Sequence, residues 1–329
     1  MVFLLVQAGR LARAGRPVNR AAPCEPARRR AVEAPPPEIA PVPPAYRIAH
    51  LSDLHFGAEL PEVVAALAEE LSRDPPDLVA ISGDLTMRAR TREFVAARAF
   101  IDGLRSPVLA VPGNHDLVAY WLAERYLDPY ARWRRHVAPE TEPVFQDARI
   151  GVVGLNTARR GGWYADWSRG RVSSDRLARC EARLAALPPG LTRIVVAHHP
   201  FLPPHADPEA RPVGGAARAL AAFARQGVRL VLSGHLHVGD VAEPAREAGA
   251  RAAGTATTTT RAEGPLTVVL SSTTTSRRLR GEPNAFNEIR IAPGGAVEVF
   301  ARAWDGTSWA AVHPQATEAT PAVAVAGTP

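Results

Sequence analysis

From Tyr46 to Gly239, short apolar runs alternate with amphipathic stretches. "YRIAHLS", "DLVAISG", "PVLAVPG", "ARIGVVGLN", "TRIVVAHH" and "VRLVLSG" are dense in Val, Ile and Leu and close on small or polar residues, the pattern of strands buried on both faces. Between them, "PEVVAALAEELSRD", "TREFVAARAFIDGL", "SSDRLARCEARLAAL" and "GGAARALAAFARQG" repeat apolar residues every three or four positions, as helices covering a sheet do. A fifth helical, aromatic stretch runs from Tyr120 to about His136 and is read as a wall of a site or as core. After Gly239 the helices stop, and "PLTVVLSS", "FNEIRIA" and "AVEVFARAW" read as β. The alternation predicts an α/β protein with buried sheets, and the β-rich end a second, more antiparallel sheet in the same domain. Two Thr-rich runs, 255–260 and 273–275, suit strands or loops and carry no chemistry that the sequence assigns.

The ends lack any such period. Residues 1–45 are rich in Arg, Pro and Ala and are expected to be a disordered tail, followed by a domain over 46–305 and a loose C-terminal tail over 306–329. No apolar run approaches the ~18 residues of a membrane span. The N-terminal "VFLLV" is shorter than the apolar core of a signal peptide. A cytoplasmic protein is expected.

The net charge of +6 invites a nucleic-acid reading, but its distribution argues against one. All 39 basic residues are arginine, a bias of composition more than a designed surface. Residues 1–45 hold seven Arg and three Glu, +4, which leaves +2 for the other 284 residues; a basic tail is not a basic groove. Two cysteines make no disulfide framework. Cys24 lies in the tail. Cys180, spaced with Leu177, Leu184 and Leu187, belongs to the inner stripe of a helix.

Chemistry collects where the strands end. The first strand is followed by Asp53 and His55, the second by Asp84, the third by Asn114, His115 and Asp116, a later one by His198 and His199, and the next by His235 and His237. In open α/β sheets ligands bind beyond the carboxyl ends of the strands. In extended chain, residues i and i+2 point the same way, so His235 and His237 are aimed together. Any one of these motifs is weak. Together they have no packing explanation, because Asp and His gathered away from water cost stability unless paired or bound to metal. Mixed nitrogen and oxygen donors suit Mn, Fe, Zn, Co or Ni better than Mg or Ca. Two such ions lower the pKa of a bound water, making hydroxide available as a nucleophile, and neutralise phosphoryl oxygens.

In this order, D-x-H, G-D, G-N-H-D, H-x-P and G-H-x-H resemble the calcineurin-like metallophosphoesterases, over roughly residues 46–305. The resemblance implies a fold of two mixed β-sheets sandwiched between outer helices. It implies a phosphoester hydrolase with two divalent or trivalent metal ions, of Fe, Mn, Zn or similar kind. Asp53, His55 and His237 would bind the first ion and Asn114, His198 and His235 the second, with Asp84 bridging. His115 would bind substrate, as would Asn114, and protonate the leaving group. His199 reads as an outer-shell or packing residue beside a ligand, and Asp116 either as orienting His115 or, the favoured reading, as the cap of a helix beginning near Leu117. His50, His136, His205 and His313 match no motif and read as surface or core.

"RIAHLSDLHFG" and "TTTSRRLRGEPNAFNEIRI" are similar to a bacterial subgroup related to class III cyclic-nucleotide phosphodiesterases. That likeness implies a small phosphodiester as substrate. In "NTARRGGWYADWSRG", Arg159, Arg160 and Arg169 could hold phosphate while Trp163, Tyr164 and Trp167 stack on a base; the same stretch also reads as a surface loop packing its own aromatics. The alternatives are a nuclease of the same superfamily, disfavoured by the slight charge outside the tail, and a non-catalytic scaffold, disfavoured because no ligand is missing.

Overall fold

The computed structural model describes residues 44–118, 122–160, 168–242 and 265–312. In chain order the elements are β1 (Tyr46–Leu51), α1 (Pro61–Arg73), β2 (Leu78–Ile81), α2 (Thr91–Gly103), β3 (Val108–Ala110), α3 (Leu122–Leu127), α4 (Ala131–His136), β4 (Val144–Gln146) and β5 (Ile150–Leu155). They continue with α5 (Ser174–Ala186), β6 (Thr192–Ala197), α6 (Ala216–Arg225), β7 (Val228–Ser233), β8 (Asp240–Ala242), β9 (Thr267–Leu270), β10 (Ala285–Ile291), β11 (Val297–Trp304) and β12 (Trp309–Val312). They form two six-stranded sheets, ordered β12-β11-β10-β1-β2-β3 and β4-β5-β6-β7-β9-β8. In the first, β1, β2 and β3 are parallel and β10 to β12 antiparallel. In the second, β5, β6, β7 and β9 are parallel, with antiparallel β4 and β8 at the edges.

The near-continuous apolar runs have the cause inferred from them, because each sheet is buried on both faces. Ile48, Leu78, Ala80 and Leu109 of one sheet meet Val152, Ile194, Val196, Leu230 and Leu232 of the other. The outer faces take the helices: α1 and α2 pack Val63, Leu67, Phe94 and Ala97 on the first sheet, and α5 and α6 pack Leu177, Leu184, Ala219 and Phe223 on the second. Pro61 at the first turn of α1 and Ser173, whose hydroxyl accepts from the Arg176 N–H at 3.3 Å, are ordinary start signals. Cys180 is buried in the stripe of α5, where burial pushes its thiol up to about 12. Among the described residues no helix is long and apolar enough to cross a membrane.

The sequence reading needs correcting at three places. Over its described residues, 122–136, the stretch read as one helix from Tyr120 is two short helices, because Pro129 biases Asp128 out of helical geometry. Of its side chains, Tyr130 and Trp133 are core, whereas Tyr126 and Leu127 are exposed. The first sheet runs past 305: Asp305 accepts from the N–H groups of Thr307 and Ser308 and turns the chain back. Trp309 then packs edge-on against Phe286 with 5.2 Å between ring centroids. Finally, Asp116 caps no helix; its partners are described with the site.

Candidate metal centre

The parallel strands of both sheets send their carboxyl ends to one edge, and five of the loops there carry the motif residues. The local backbone is unusual. Among the described residues six non-glycine positions have positive φ, and five are Asp53 (53°), His55 (50°), Asp84 (52°), His235 (79°) and His237 (62°). The left-handed region costs a β-carbon roughly 1–2 kcal/mol. The extended-chain reason for pairing i with i+2 therefore does not hold; sharp turns aim these side chains, and they aim His235 and His237 at different neighbours.

Two features make the turns possible. Glycines let the loops approach: a Cβ at Gly113 would lie 2.1 Å from Asp84 Oδ1, and one at Gly234 would lie 1.7 Å from Ser52 Oγ. The buried run Ser271–Ser276 then ties the turns down with its hydroxyls. Thr273 donates to the Asp53 carbonyl (2.7 Å), Thr275 to that of Leu54 (2.7 Å) and Ser272 to that of His237 (3.1 Å), while Thr274 Oγ1 accepts from the Ser52 N–H (3.0 Å). The sequence left this Thr run without a role. The other, 255–260, lies outside the described residues, as does His313.

Two groups of donor atoms result. In the first, Asp53 Oδ1 is 3.2 Å from His237 Nε2 and 3.5 Å from His55 Nε2, and the two Nε2 atoms are 3.3 Å apart. In the second, His198 Nε2 is 3.1 Å from Asn114 Oδ1, 3.2 Å from His235 Nδ1 and 3.3 Å from Asp84 Oδ2. Asp84 Oδ2 also lies 3.8 Å from His55 Nε2, between the groups. The far nitrogens fix the tautomers: His198 Nδ1–H donates to the Ser82 carbonyl (2.9 Å), His237 Nδ1–H to that of Arg278 (2.6 Å) and His55 Nδ1–H to that of Thr86 (3.4 Å). Each Nε2 is thereby turned inward.

These atoms fit metal ions. Asp53 Oδ1 is buried without a hydrogen-bond partner, facing two imidazole nitrogens. Electron-pair donors so close repel unless a positive charge lies among them. The electrostatics agree. Burial alone raises Asp53, yet His237 and His55 hold its carboxyl well below the usual range. Burial alone lowers His198, yet Asp84 lifts it to about 9. Burial and His198 together push His235 down to about 4. The donor set, nitrogen and oxygen without sulfur, suits first-row transition ions.

His115 stands beside the cluster. Its N–H donates to Asp84 Oδ1 (2.8 Å) and its ring meets that of His55 edge-on at 4.9 Å. Its Nδ1–H donates to the Met87 carbonyl (2.7 Å), and Arg278 Nη1 donates to its Nε2 at 3.3 Å. His199 has both ring nitrogens engaged, accepting from Thr157 Oγ1 and donating to the Ser168 carbonyl, each at 2.7 Å. It packs against His198 and His235 and offers no lone pair inward. Asp116 accepts from the N–H groups of Leu85 (3.2 Å), Thr86 (2.8 Å) and Gly113 (3.0 Å), tying the second loop to the third.

The remaining candidates lie further out. Arg159 and Arg160 follow β5 on the same edge; their carbonyls accept from Arg125, and Arg160 Nη1 donates to the Tyr126 carbonyl at 3.3 Å. Trp163, Tyr164 and Trp167 lie outside the described residues. His50 is buried between the sheets, His136 stacks on Phe94, and exposed His205 pairs with Asp240.

A model of the calcineurin-like phosphoesterases matches residues 46–239. A glycerophosphodiester phosphodiesterase, GpdQ of Enterobacter lignolyticus, is 29% identical over 167 residues, covering 47% of this chain and 57% of that one. The match thus spans little more than half the relative's length. A probable cyclic nucleotide phosphodiesterase of a Synechococcus species is 27% identical over 201 residues, covering 58% of this chain and 72% of the other. Among solved structures, a purple acid phosphatase from yellow lupin seeds superposes with TM-score 0.56 at 11% identity, over 81% of this chain and 53% of that one. A dimetal phosphatase from Danio rerio does so with TM-score 0.53 at 12% identity, over 79% of this chain and 96% of that one. These two likenesses are of fold.

Proposed function

This chain belongs to the calcineurin-like phosphoesterase family, and from that premise we propose that it is a phosphodiesterase for small substrates such as cyclic nucleotides, dependent on two metal ions. Asp53, His55 and His237 would hold one ion and Asn114, His198 and His235 the other, with Asp84 offered to both. The observation that carries the reading is the Asp84 carboxylate, whose Oδ2 faces His198 Nε2 at 3.3 Å and His55 Nε2 at 3.8 Å. Bound there, the ions supply Lewis-acid charge for the phosphoryl oxygens and a water of lowered pKa.

The chain's own residues do the rest. Backbone carbonyls orient the imidazoles, so the donors need no rearrangement to meet an ion. Asp84 Oδ1 holds the His115 backbone in place. With Nδ1–H committed to Met87, His115 has one nitrogen, Nε2, through which it can deliver a proton to a leaving oxygen. Asn114 contributes its amide to the phosphoryl group, and Arg159 and Arg160 are candidate contacts for the ester's substituent. The relatives' names support a diester, since one acts on glycerophosphodiesters and the other is a probable cyclic nucleotide phosphodiesterase.

The test is a screen of the Mn²⁺-loaded protein against cyclic nucleotides, simple diesters, monoesters and single-stranded DNA. Turnover of small diesters with mild salt dependence is expected. Degradation of single-stranded DNA with steep salt dependence, and no hydrolysis of cyclic nucleotides, would instead establish the nuclease, because many arginine–phosphate contacts release counterions.

A further inference from the structure

The run Ser271–Ser276 leads into Arg278, a residue that the reaction outlined above leaves without a task. Its main chain is fixed at both ends: its N–H donates to Ser276 Oγ (3.1 Å) and its carbonyl accepts from His237 Nδ1–H (2.6 Å). The side chain is therefore carried to the rim of the metal cluster by the segment that orients one of its imidazoles. There Nη1 lies 3.3 Å from His115 Nε2 and 3.7 Å from Met87 Sδ. The guanidinium is half-buried, and no carboxylate of the described residues lies within ion-pair distance of it.

Several other half-buried arginines have a carboxylate or a backbone carbonyl as partner: Arg132 meets Glu124, Arg302 meets Glu70 and Glu288, Arg176 donates to the Ala158 carbonyl and Arg193 to that of Gln226. Arg277, next in sequence, is spent on the carbonyls of Ala58 and Glu59. Arg278 instead gives a hydrogen bond to a neutral imidazole lone pair, a weak partner for a cation held partly out of water. Guanidinium binds phosphate through paired N–H groups. An arriving anion would give this charge a stronger partner than the imidazole does.

We propose that Arg278 binds a non-bridging oxygen of the phosphoryl group and, in turning to it, releases Nε2 of His115 for the leaving oxygen. The inference rests on the phosphoesterase reading of the site. No covalent bond is made or broken in this exchange: one hydrogen bond, Arg278 to His115, gives way to one from Arg278 to the substrate anion, and the freed Nε2, whose lone pair had accepted from Arg278, takes a proton from solvent before it gives one to the leaving oxygen. The residue thereby selects for a group that keeps an anionic oxygen on the side of His115, which every phosphodiester does and a neutral triester does not.

Inorganic phosphate serves as probe, with binding to Mn²⁺-loaded protein measured by calorimetry and metal content determined on the same samples. Arg278→Ala leaves the main-chain bonds in place; it is expected to retain both ions and bind phosphate about 10- to 100-fold more weakly, the range for a lost hydrogen bond to a charged group. Arg278→Lys should recover part of the loss. Unchanged phosphate affinity in Arg278→Ala at full metal content would overturn the proposal. So would wild-type protein that takes up metal but no phosphate, or loss of metal in both variants, which would make the side chain a support of the His237 segment. The esterase reading fails separately: wild type that binds phosphate through Arg278 and hydrolyses no ester would remove that reading and leave the anion site standing.

Discussion

Asp84→Asn separates the bridged two-ion site from any reading in which the donors serve one ion or none. The variant keeps shape and volume at a position 1% exposed, so the core does not change. The amide has two orientations, and neither works. Oδ1 accepts the His115 N–H at 2.8 Å and must remain an oxygen. The amide nitrogen then takes the place of Oδ2, 3.3 Å from His198 Nε2 and 3.8 Å from His55 Nε2, and presents hydrogens where a lone pair faced both groups. Flipped, it sets N–H against N–H at His115. The charge change is larger still, because Asp53 and Asp84 are the two carboxylates of the cluster. One carboxylate facing one unit of positive charge at ~4 Å is worth ~4 kcal/mol at the effective dielectric near 20 that suits protein sites. Metal affinity should therefore fall at least ~10³-fold, for both ions together. The assay is Mn²⁺ titration followed by calorimetry, with metal content after gel filtration and turnover of a nitrophenyl diester. Loss of one ion only, or two ions retained at wild-type affinity with wild-type rate, would refute the bridge.

Three further outcomes are expected. His115→Ala should keep both ions and lose little activity on nitrophenyl esters but about 10²–10⁴-fold on esters of ordinary alcohols, whose leaving oxygen needs the proton; kcat/KM over a leaving-group series checks it, and an equal loss across the series would make His115 a phosphate-positioning residue. Thr273→Val, which strips the Asp53 carbonyl of its buried partner, should cost about 1–3 kcal/mol in urea unfolding and weaken metal binding, whereas an unchanged metal affinity would detach the Ser271–Ser276 run from the site. Burial pushes His50 from 6.5 down to about 3, so the folded chain refuses a proton that the unfolded chain accepts. Its contribution is intact above pH 6.5 and is lost as pH falls toward 3, about 2 kcal/mol by pH 5. His50→Gln, measured by urea midpoint in EDTA, should flatten that slope relative to wild type, and a parallel slope would count against it.

The sandwich was legible because its signal is strong in every central strand. The middle of a strand buried on both faces disfavours charge, so β1, β2, β5, β6 and β7 announce themselves as apolar runs, with Arg47, Arg193 and Arg229 confined to their second positions and Ser, Asn or His at their ends. Of the edge strands, β3 kept that signal, but β4, β8 and β12 had none. Each is three or four residues long and holds its place by main-chain bonds to one neighbour, leaving side chains free to be polar, as Gln146 and Asp240 are. The donor residues were legible for the same reason as the central strands: nothing about packing explains a carboxylate or imidazole at the mouth of a buried sheet. Asp116 was misread because a carboxylate before an expected helix and one that ties two loops together accept the same backbone N–H groups. Only the partners differ, and two of the three, Leu85 and Thr86, lie 31 and 30 residues away.

What stayed hidden in the sequence is the machinery that holds the donors in position. A donor in a left-handed turn is individually unfavourable, and the residue that would sit there most easily, glycine, has no side chain to offer. The conflict is local; its resolution lies elsewhere in the chain. Asp53 keeps φ 53° because Thr273, 220 residues later, holds its carbonyl, and because its own N–H reaches the Gly83 carbonyl at 3.1 Å. Thr and Ser suit that task because their hydroxyls can donate to or accept from a carbonyl or N–H at short reach, without the charge that would compete with the carboxylates for metal. Their side chains satisfy main-chain groups of the first and last ligand loops, so the run reads as neither strand nor helix and looks featureless. Arg278 is hidden by the same geometry, since only the fold brings the end of that run beside His115. The chemistry is therefore written in the loops that carry the donors, while their placement depends on a distant segment whose polar composition looked inert.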